Sequence, residues 1–406
     1  MSELPLGDGT VTFDLPDCEV DVAEPAGGEA VDPVTAAREA VEDPHGPRLS
    51  ELADPDDLVC IVVTDATRAT PDGVLLDALH DELGRAGIPR AQVRVLVGLG
   101  LHRPMTNAEL RESLGEHADR AVNHDADEAV PVGEVDDVPI EVHPTVAHAD
   151  LVVSTGMVEP HQYAGFSGGA KTAAIGAGGE PLIRHTHGPG MLSRAGVRLG
   201  RVDDNPFRAA VDRAGDVLGL DFCVNVTHGP AGILDAAAGR PRAVVEDLAA
   251  SARDARSVAV DGGYDAVLAG VGAPKDANLY QTTRAFTYVT LGARNPLEEG
   301  GRVVVPAALP EGAGEGTGEQ RFYERLSAAS DADSLYESMR EGYEPGAQRA
   351  FVVARALREH DCYVTDSTAP GIVEDCLLDA RDSVPDAVEP GSRVLLVPDA
   401  LNTLLT

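Results

Sequence analysis

The run Leu58-Val59-Cys60-Ile61-Val62-Val63, closed by Thr64-Asp65, decides the fold. Continuous apolar residues without alternation describe a strand buried on both faces, as in a parallel sheet. A helical segment follows from about Asp72 to Ala86 and is stopped by Gly87 and Pro89. Val93 to Val97 reads as the next strand and ends at Gly98-Leu99-Gly100-Leu101-His102; a second helix lies near Asn107 to Leu114. Leu151-Val152-Val153 is a third strand, ending at Ser154-Thr155-Gly156. This alternation predicts an α/β fold with mostly parallel sheets.

The pattern restarts after residue 258. Ala266 to Ala269, Arg302 to Val305, Cys362 to Val364 and Val394 to Val397 read as strands with helices between them. The expected organisation is an N-terminal α/β domain over 1–258, a C-terminal α/β domain over 262–398 and a tail over 399–406. The first 50 residues, acidic and rich in proline and glycine, read as an entry arm with little core of its own. Ligands of open α/β sheets bind beyond the carboxyl ends of the strands, and the polar motifs here all follow strands. The site is expected in the cleft between the two domains.

Composition narrows the partners. The 406 residues carry 32 Lys+Arg against 68 Asp+Glu, a formal charge of −36. Nucleic acids and anionic membrane surfaces require the opposite sign. No apolar stretch is long enough to span a bilayer, and residues 1–10 lack the basic and apolar regions of a Sec signal, so a cytoplasmic protein is expected. Only Lys171 and Lys275 are lysines; the other 30 basic residues are arginines. Such an acidic, lysine-poor chain resembles proteins of extremely halophilic archaea, in which concentrated salt screens the self-repulsion. A lysine retained in this background marks itself as a candidate for amine chemistry. The five cysteines are scattered without a CxxC, as reduced thiols in a cytosol would be.

Four motifs carry the chemistry. Thr64-Asp65-Ala66-Thr67-Arg68-Ala69-Thr70-Pro71 mixes hydroxyls, a carboxylate and an arginine before a helix, and reads either as an anion-binding turn or as a helix cap. Gly98 to Pro104 places His102 at a strand's mouth. Glu159-Pro160-His161-Gln162-Tyr163-Ala164-Gly165-Phe166-Ser167-Gly168-Gly169-Ala170-Lys171-Thr172 sets one of the two lysines in a glycine-lined loop, with His185 and His187 beyond it. That loop superficially matches a P-loop, but Ala170 stands where the pattern needs glycine, and eight residues separate Gly156 from Gly165. His185-x-His187 in an extended strand would share a face and suit a metal; spacing alone does not choose between them as ligand. Finally, Gly272 to Arg284 puts Tyr280, Gln281 and Arg284 on one helical face that could grip a small anion.

Taken together and in this order, the motifs resemble the lactate racemase family, which uses a nickel-pincer nucleotide. The resemblance spans residues 65 to 284. It implies that Lys171 joins the cofactor covalently and that His187 ligates nickel, with Lys171 part of the same metal-holding set. It implies that His102 and His161 are the acid/base pair and that Asp65, Ala66, Thr67 and Arg68 contact the nucleotide, with Ser167, Gly168 and Gly169 lining the cofactor loop. Tyr280, Gln281 and Arg284 would hold a small 2-hydroxy acid, and cofactor-maturation proteins would be partners. Three departures bear on the substrate: Ala69 replaces the usual proline, Arg284 replaces a lysine, and the chain has no tryptophan for the pocket; Tyr343 is a candidate for that region. Guanidinium and ammonium are not interchangeable on a carboxylate.

The chemistry fits the residue types. The hydrogen on the carbinol carbon is too weakly acidic for a side chain to remove as a proton near pH 7. The alternative is to remove it as hydride, which needs a cofactor, while a base takes the hydroxyl proton. Two histidines serve two enantiomers, since each can be acid or base near neutrality. The rival readings are a nucleotide-dependent phosphotransferase with a degenerate P-loop, and a non-catalytic binder of the pincer cofactor.

Overall fold

The structure, a computed structural model, describes all 406 residues. The chain forms two compact units, one of Gly27–Thr186 with Arg201–Ala255, the other of Met1–Ala26, His187–Gly200 and Arg256–Thr406.

The first unit is built on a six-stranded sheet in the order Gly232–Gly239, Leu220–Gly229, Leu151–Met157, Val59–Val63, Val93–Val97, Ala121–Asn123. Neighbours are parallel except for the first pair. Ile61 lies opposite Val95 on one side and Val153 on the other, so Val59–Val63 is an interior strand with every residue buried. That is why its sequence does not alternate. The helix Asp72–Arg85 turns Leu75, Leu76, Leu79 and Leu83 onto the core that holds Ile61, Val63 and Val95. Truncating one such buried leucine to alanine typically costs about 2–5 kcal/mol. The helix Asn107–Leu114 starts at a capping box in which Thr106 and Glu109 bond each other's backbone N–H.

The second unit holds a fully parallel six-stranded sheet in the order Asp379–Arg381, Asp361–Thr365, Leu297–Pro306, Tyr264–Ala269, Arg393–Val397, Glu19–Val22. The α/β fold with mostly parallel sheets is as the sequence predicts.

The chain is nevertheless divided differently from a single cut near residue 258. The N-terminal arm belongs to the second unit: Glu19–Val22 is its edge strand, in register with Arg393–Leu396. The hairpin of Ser2–Leu6 and Gly9–Phe13 buries Leu4 and Phe13 against Leu268 and Val304. Residues 187–200 also join this unit. Nor is 399–406 a loose tail, because Leu404–Leu405 pairs with Ser257–Val258 and is buried. The pairings of Glu19–Val22 with Arg393–Leu396 and of Ser257–Val258 with Leu404–Leu405 join segments far apart in the chain, which local patterns do not record. No helix is long and apolar enough to cross a membrane.

Candidate active site

The first unit brings the Thr64–Pro71 loop together with the Glu159–Lys171 segment. Both follow adjacent parallel strands, Val59–Val63 and Leu151–Met157, so both emerge at the same sheet edge. Beneath them lies Asp72, fully buried at the start of its helix, accepting hydroxyl hydrogen bonds from Thr64 at 2.6 Å and from Thr155. Burial pushes its carboxyl up to about 7 against those bonds. Asp72 thus locks the two strand ends together. Thr70 is not a helix cap: its buried hydroxyl has no hydrogen-bond partner.

Asp65 organises the loop. One carboxylate oxygen accepts from the backbone N–H of Thr67 at 2.8 Å, and the other meets His102 Nδ1 at 2.6 Å. Burial raises this carboxyl, but the bonds from His102 and Thr67 outweigh it and hold it at about 2. An ionised Asp65 makes Nδ1 of His102 the proton-bearing nitrogen and leaves Nε2 to accept. Ala66 and Thr67 are exposed, while Arg68 is half-buried and pairs with Glu159 at 2.8 Å. His102 reaches Asp65 because its loop is tied down: Gly100 N–H donates to Gly176 O at 2.8 Å. At Gly98 a Cβ would stand 3.0 Å from Thr172 O, so only glycine lets the two loops approach this closely.

His161 lies in a small hairpin, opposite Gly165. Its Nδ1 accepts the backbone N–H groups of Tyr163 at 3.2 Å and Ala164 at 3.1 Å. The neutral ring therefore carries its proton on Nε2, the reverse of His102. Ser167 ties the hairpin to its strand, donating to Met157 O at 2.7 Å and accepting from Glu159 N–H at 3.0 Å.

Lys171 follows Gly168 and Gly169, both at positive φ, and leads into a π-helical turn, Thr172–Gly176. Its side chain is half-buried. Desolvation, then the charges of Arg68 and Arg208, pull the amine down to about 7, against Glu159 and Asp65. An amine about half neutral near pH 7 is a nucleophile there; an ordinary lysine, almost wholly protonated, is not. The approach through a two-residue strand and a π turn also departs from the strand–loop–α-helix frame of a P-loop.

Sequence reasoning missed the residues that hold this loop. Arg208 is fully buried and donates to the carbonyls of Phe166, Ser167 and Gly168 and to Asp212. Asn225 accepts from Gly169 N–H at 2.7 Å. A lone asparagine inside the apolar strand Leu220–Gly229 was a readable signal, whereas Arg208 on an amphipathic helix looks like any surface arginine.

The histidine pair needs correction. Residues Glu180–His187 form an α-helix, not an extended strand. At about 100° per residue, positions two apart point to different sides, so His185 and His187 do not share a face. His187 is also the residue at which the chain passes to the second unit.

In the second unit, Asn278 caps a short helix, Leu279–Thr282, accepting from Gln281 N–H at 3.0 Å. A second helix, Arg284–Thr290, follows after Thr283, so the predicted single helical face is broken once. Tyr280 packs edge-on against Phe322, and Arg284 donates to the Tyr288 hydroxyl at 2.7 Å. The segment follows the strand Tyr264–Ala269, at the carboxyl edge of its sheet.

Residues 6–200 match the model of the lactate racemase N-terminal domain, and residues 264–401 match that of the lactate racemase C-terminal domain. The chain belongs to the lactate racemase family. The lactate racemase of Thermoanaerobacterium thermosaccharolyticum is 26% identical over 434 residues, covering 99% of this chain and 98% of that protein. The lactate racemase of Lactiplantibacillus plantarum is 26% identical over 378 residues, covering 88% and 87%. The solved structure of the Thermoanaerobacterium lactate racemase apoprotein superposes with a TM-score of 0.87 at 24% identity, over 100% of this chain and 99% of that one. A Thermotoga maritima protein shares the fold at a TM-score of 0.64 and 16% identity, over 92% and 97%. The lactate racemase fold thus runs through the whole chain, and the motif series from Asp65 to Arg284 lies across both of its domains.

Proposed function

We propose that this member of the lactate racemase family is a cytoplasmic enzyme that racemises a small 2-hydroxy acid, lactate or a close analogue, with a nickel-pincer nucleotide carried on Lys171. The observation behind this reading is that the lowered amine of Lys171 sits among the charges of Arg68, Glu159 and Asp65, and Asp65 is the residue that orients His102.

The donor set fits the group. Lys171 offers a neutral amine for covalent attachment, Arg68 a cation for a phosphate, and Ser167, Gly168 and Gly169 a narrow loop with little side chain in the way. Ala66 and Thr67 lie beside Arg68 on the nucleotide loop, and His187 is the proposed nickel ligand. When bound, the nucleotide supplies the hydride acceptor that no side chain provides. The protein's own part is proton handling. His102 accepts the substrate hydroxyl proton at Nε2 while Asp65 stabilises the resulting imidazolium. His161, with its neutral proton on Nε2, donates toward a carbonyl oxygen. Tyr280, Gln281 and Arg284 hold the substrate carboxylate. Maturation proteins would deliver the cofactor.

Intact-mass measurement tests the reading, on protein purified in high salt from a host that makes the cofactor, with nickel quantified in the same sample. An adduct mapping to Lys171, nickel near one per chain, and interconversion of the lactate enantiomers are expected. An unmodified, nickel-free chain from a host that loads another family member would overturn it.

A further inference from the structure

Arg349 is the second residue of the helix Gln348–Leu357 in the second unit, and it is only 7% exposed. Its guanidinium lies over the ring of Tyr280, 4.6 Å from Cζ to the centroid. A ring face attracts the cation but accepts few of its N–H groups, which still need hydrogen-bond partners. Nε and Nη1 have none: both are buried without a hydrogen bond. The carboxylates of this region are engaged elsewhere. Glu344 pairs with Arg321, and Glu311 and Glu319 accept from Asn278. A buried arginine without a counter-charge is among the costliest arrangements in a protein interior. It persists where a ligand supplies the missing anion.

Arg349 and Arg284 both adjoin Tyr280: the first lies on its ring, the second four residues along the same segment. The reading above gives Arg284 the carboxylate of the 2-hydroxy acid. A monocarboxylate would then leave Arg349 uncompensated.

We propose that Arg349 is a second carboxylate subsite, and that the preferred substrate of this enzyme is a 2-hydroxy acid bearing a second carboxylate. This rests on the racemase reading and narrows its substrate class. Arginine suits the role because its planar fork pairs with a carboxylate through two N–H groups.

Two measurements test it. The loaded enzyme is assayed with malate and with lactate, and kcat/KM is expected to favour malate by at least tenfold. In Arg349→Met that ratio collapses to near one, mainly through a higher KM for malate, and Arg349→Lys recovers part of it. Independently of the cofactor, succinate is compared with butyrate as a thermal stabiliser of the unloaded protein in constant KCl. Succinate is expected to raise the midpoint more, and Arg349→Met to abolish the difference. A wild-type enzyme that racemises lactate as well as or better than malate overturns the subsite and leaves the racemase reading standing. Equal stabilisation by both acids, the pattern of a site filled by water or chloride, also overturns it. If neither acid is racemised, the racemase reading falls, and the succinate comparison alone decides the subsite. Should Arg349→Met fail to fold, the wild-type preferences and Arg349→Lys carry the test.

Discussion

The two lysines of this chain sit in opposite environments. Lys275 is exposed, whereas Lys171 is half-buried beside two arginines. Lowering an amine from its ordinary range to about 7 leaves it protonated below that pH and nucleophilic above it. Graded acylation of the unloaded protein, read by peptide mass, is expected to show Lys171 half-reacted near pH 7, with Lys275 as the internal reference. Half-reaction near pH 10 would contradict the role of burial and of Arg68 and Arg208. The two histidines are likewise unequal: the Asp65 carboxylate fixes Nδ1–H on His102, while backbone N–H groups claim Nδ1 of His161. Their types and order were legible in the sequence. Their tautomers were not, because each is set by a partner that the fold delivers.

At the scale of elements, the hairpin that carries His161 depends on one close approach. Gly165 has φ +77° and pairs with His161, and a Cβ there would lie 1.9 Å from Arg201 O. Gly165→Ala is expected to push the hairpin off Arg201. It should destabilise the protein by about 1–3 kcal/mol and lower racemisation far more than it changes acylation of Lys171. Thermal melts together with both assays check this; unchanged turnover would mean that the hairpin does not position His161. The helix over Glu180–His187 teaches the converse. A shared face for His185 and His187 needs an extended strand, but here only Glu180 and Arg184, four positions apart, are exposed, which is the spacing of a helix. The loop before Lys171 was legible as a glycine-rich segment, yet its rigidity comes from Arg208 and Asn225, 37 and 54 positions further on.

For the whole molecule, the net charge of −36 dominates behaviour in solution. The ion pairs at its surface, such as Arg90 with Glu116 and Arg358 with Asp333, are exposed. Each is worth roughly 0–1 kcal/mol, too little to offset repulsion among 68 acidic residues once screening is removed. The Debye length lengthens from about 3 Å at 1 M to about 10 Å at 0.1 M salt. The melting midpoint is therefore expected to fall steadily as KCl drops from molar to 0.1 M, and a midpoint independent of salt would refute the halophilic reading of the surface. The composition carried that inference unaided.

By itself, the sequence determined the parallel α/β class and the acidic lysine-poor surface, and it supplied the side chains proposed to react. These are local properties: strand burial is written in runs such as Val59–Val63, and chemistry in residue types beside strand ends. Only the tertiary structure decided that Glu19–Val22 completes the C-terminal sheet, that Asp72 joins two strand ends, and that Arg208 and Arg349 are buried. Those facts arise from hydrogen bonds and packing between segments far apart in the chain. No short-range pattern encodes such contacts, and they set the protonation states and unpaired charges on which the chemistry turns.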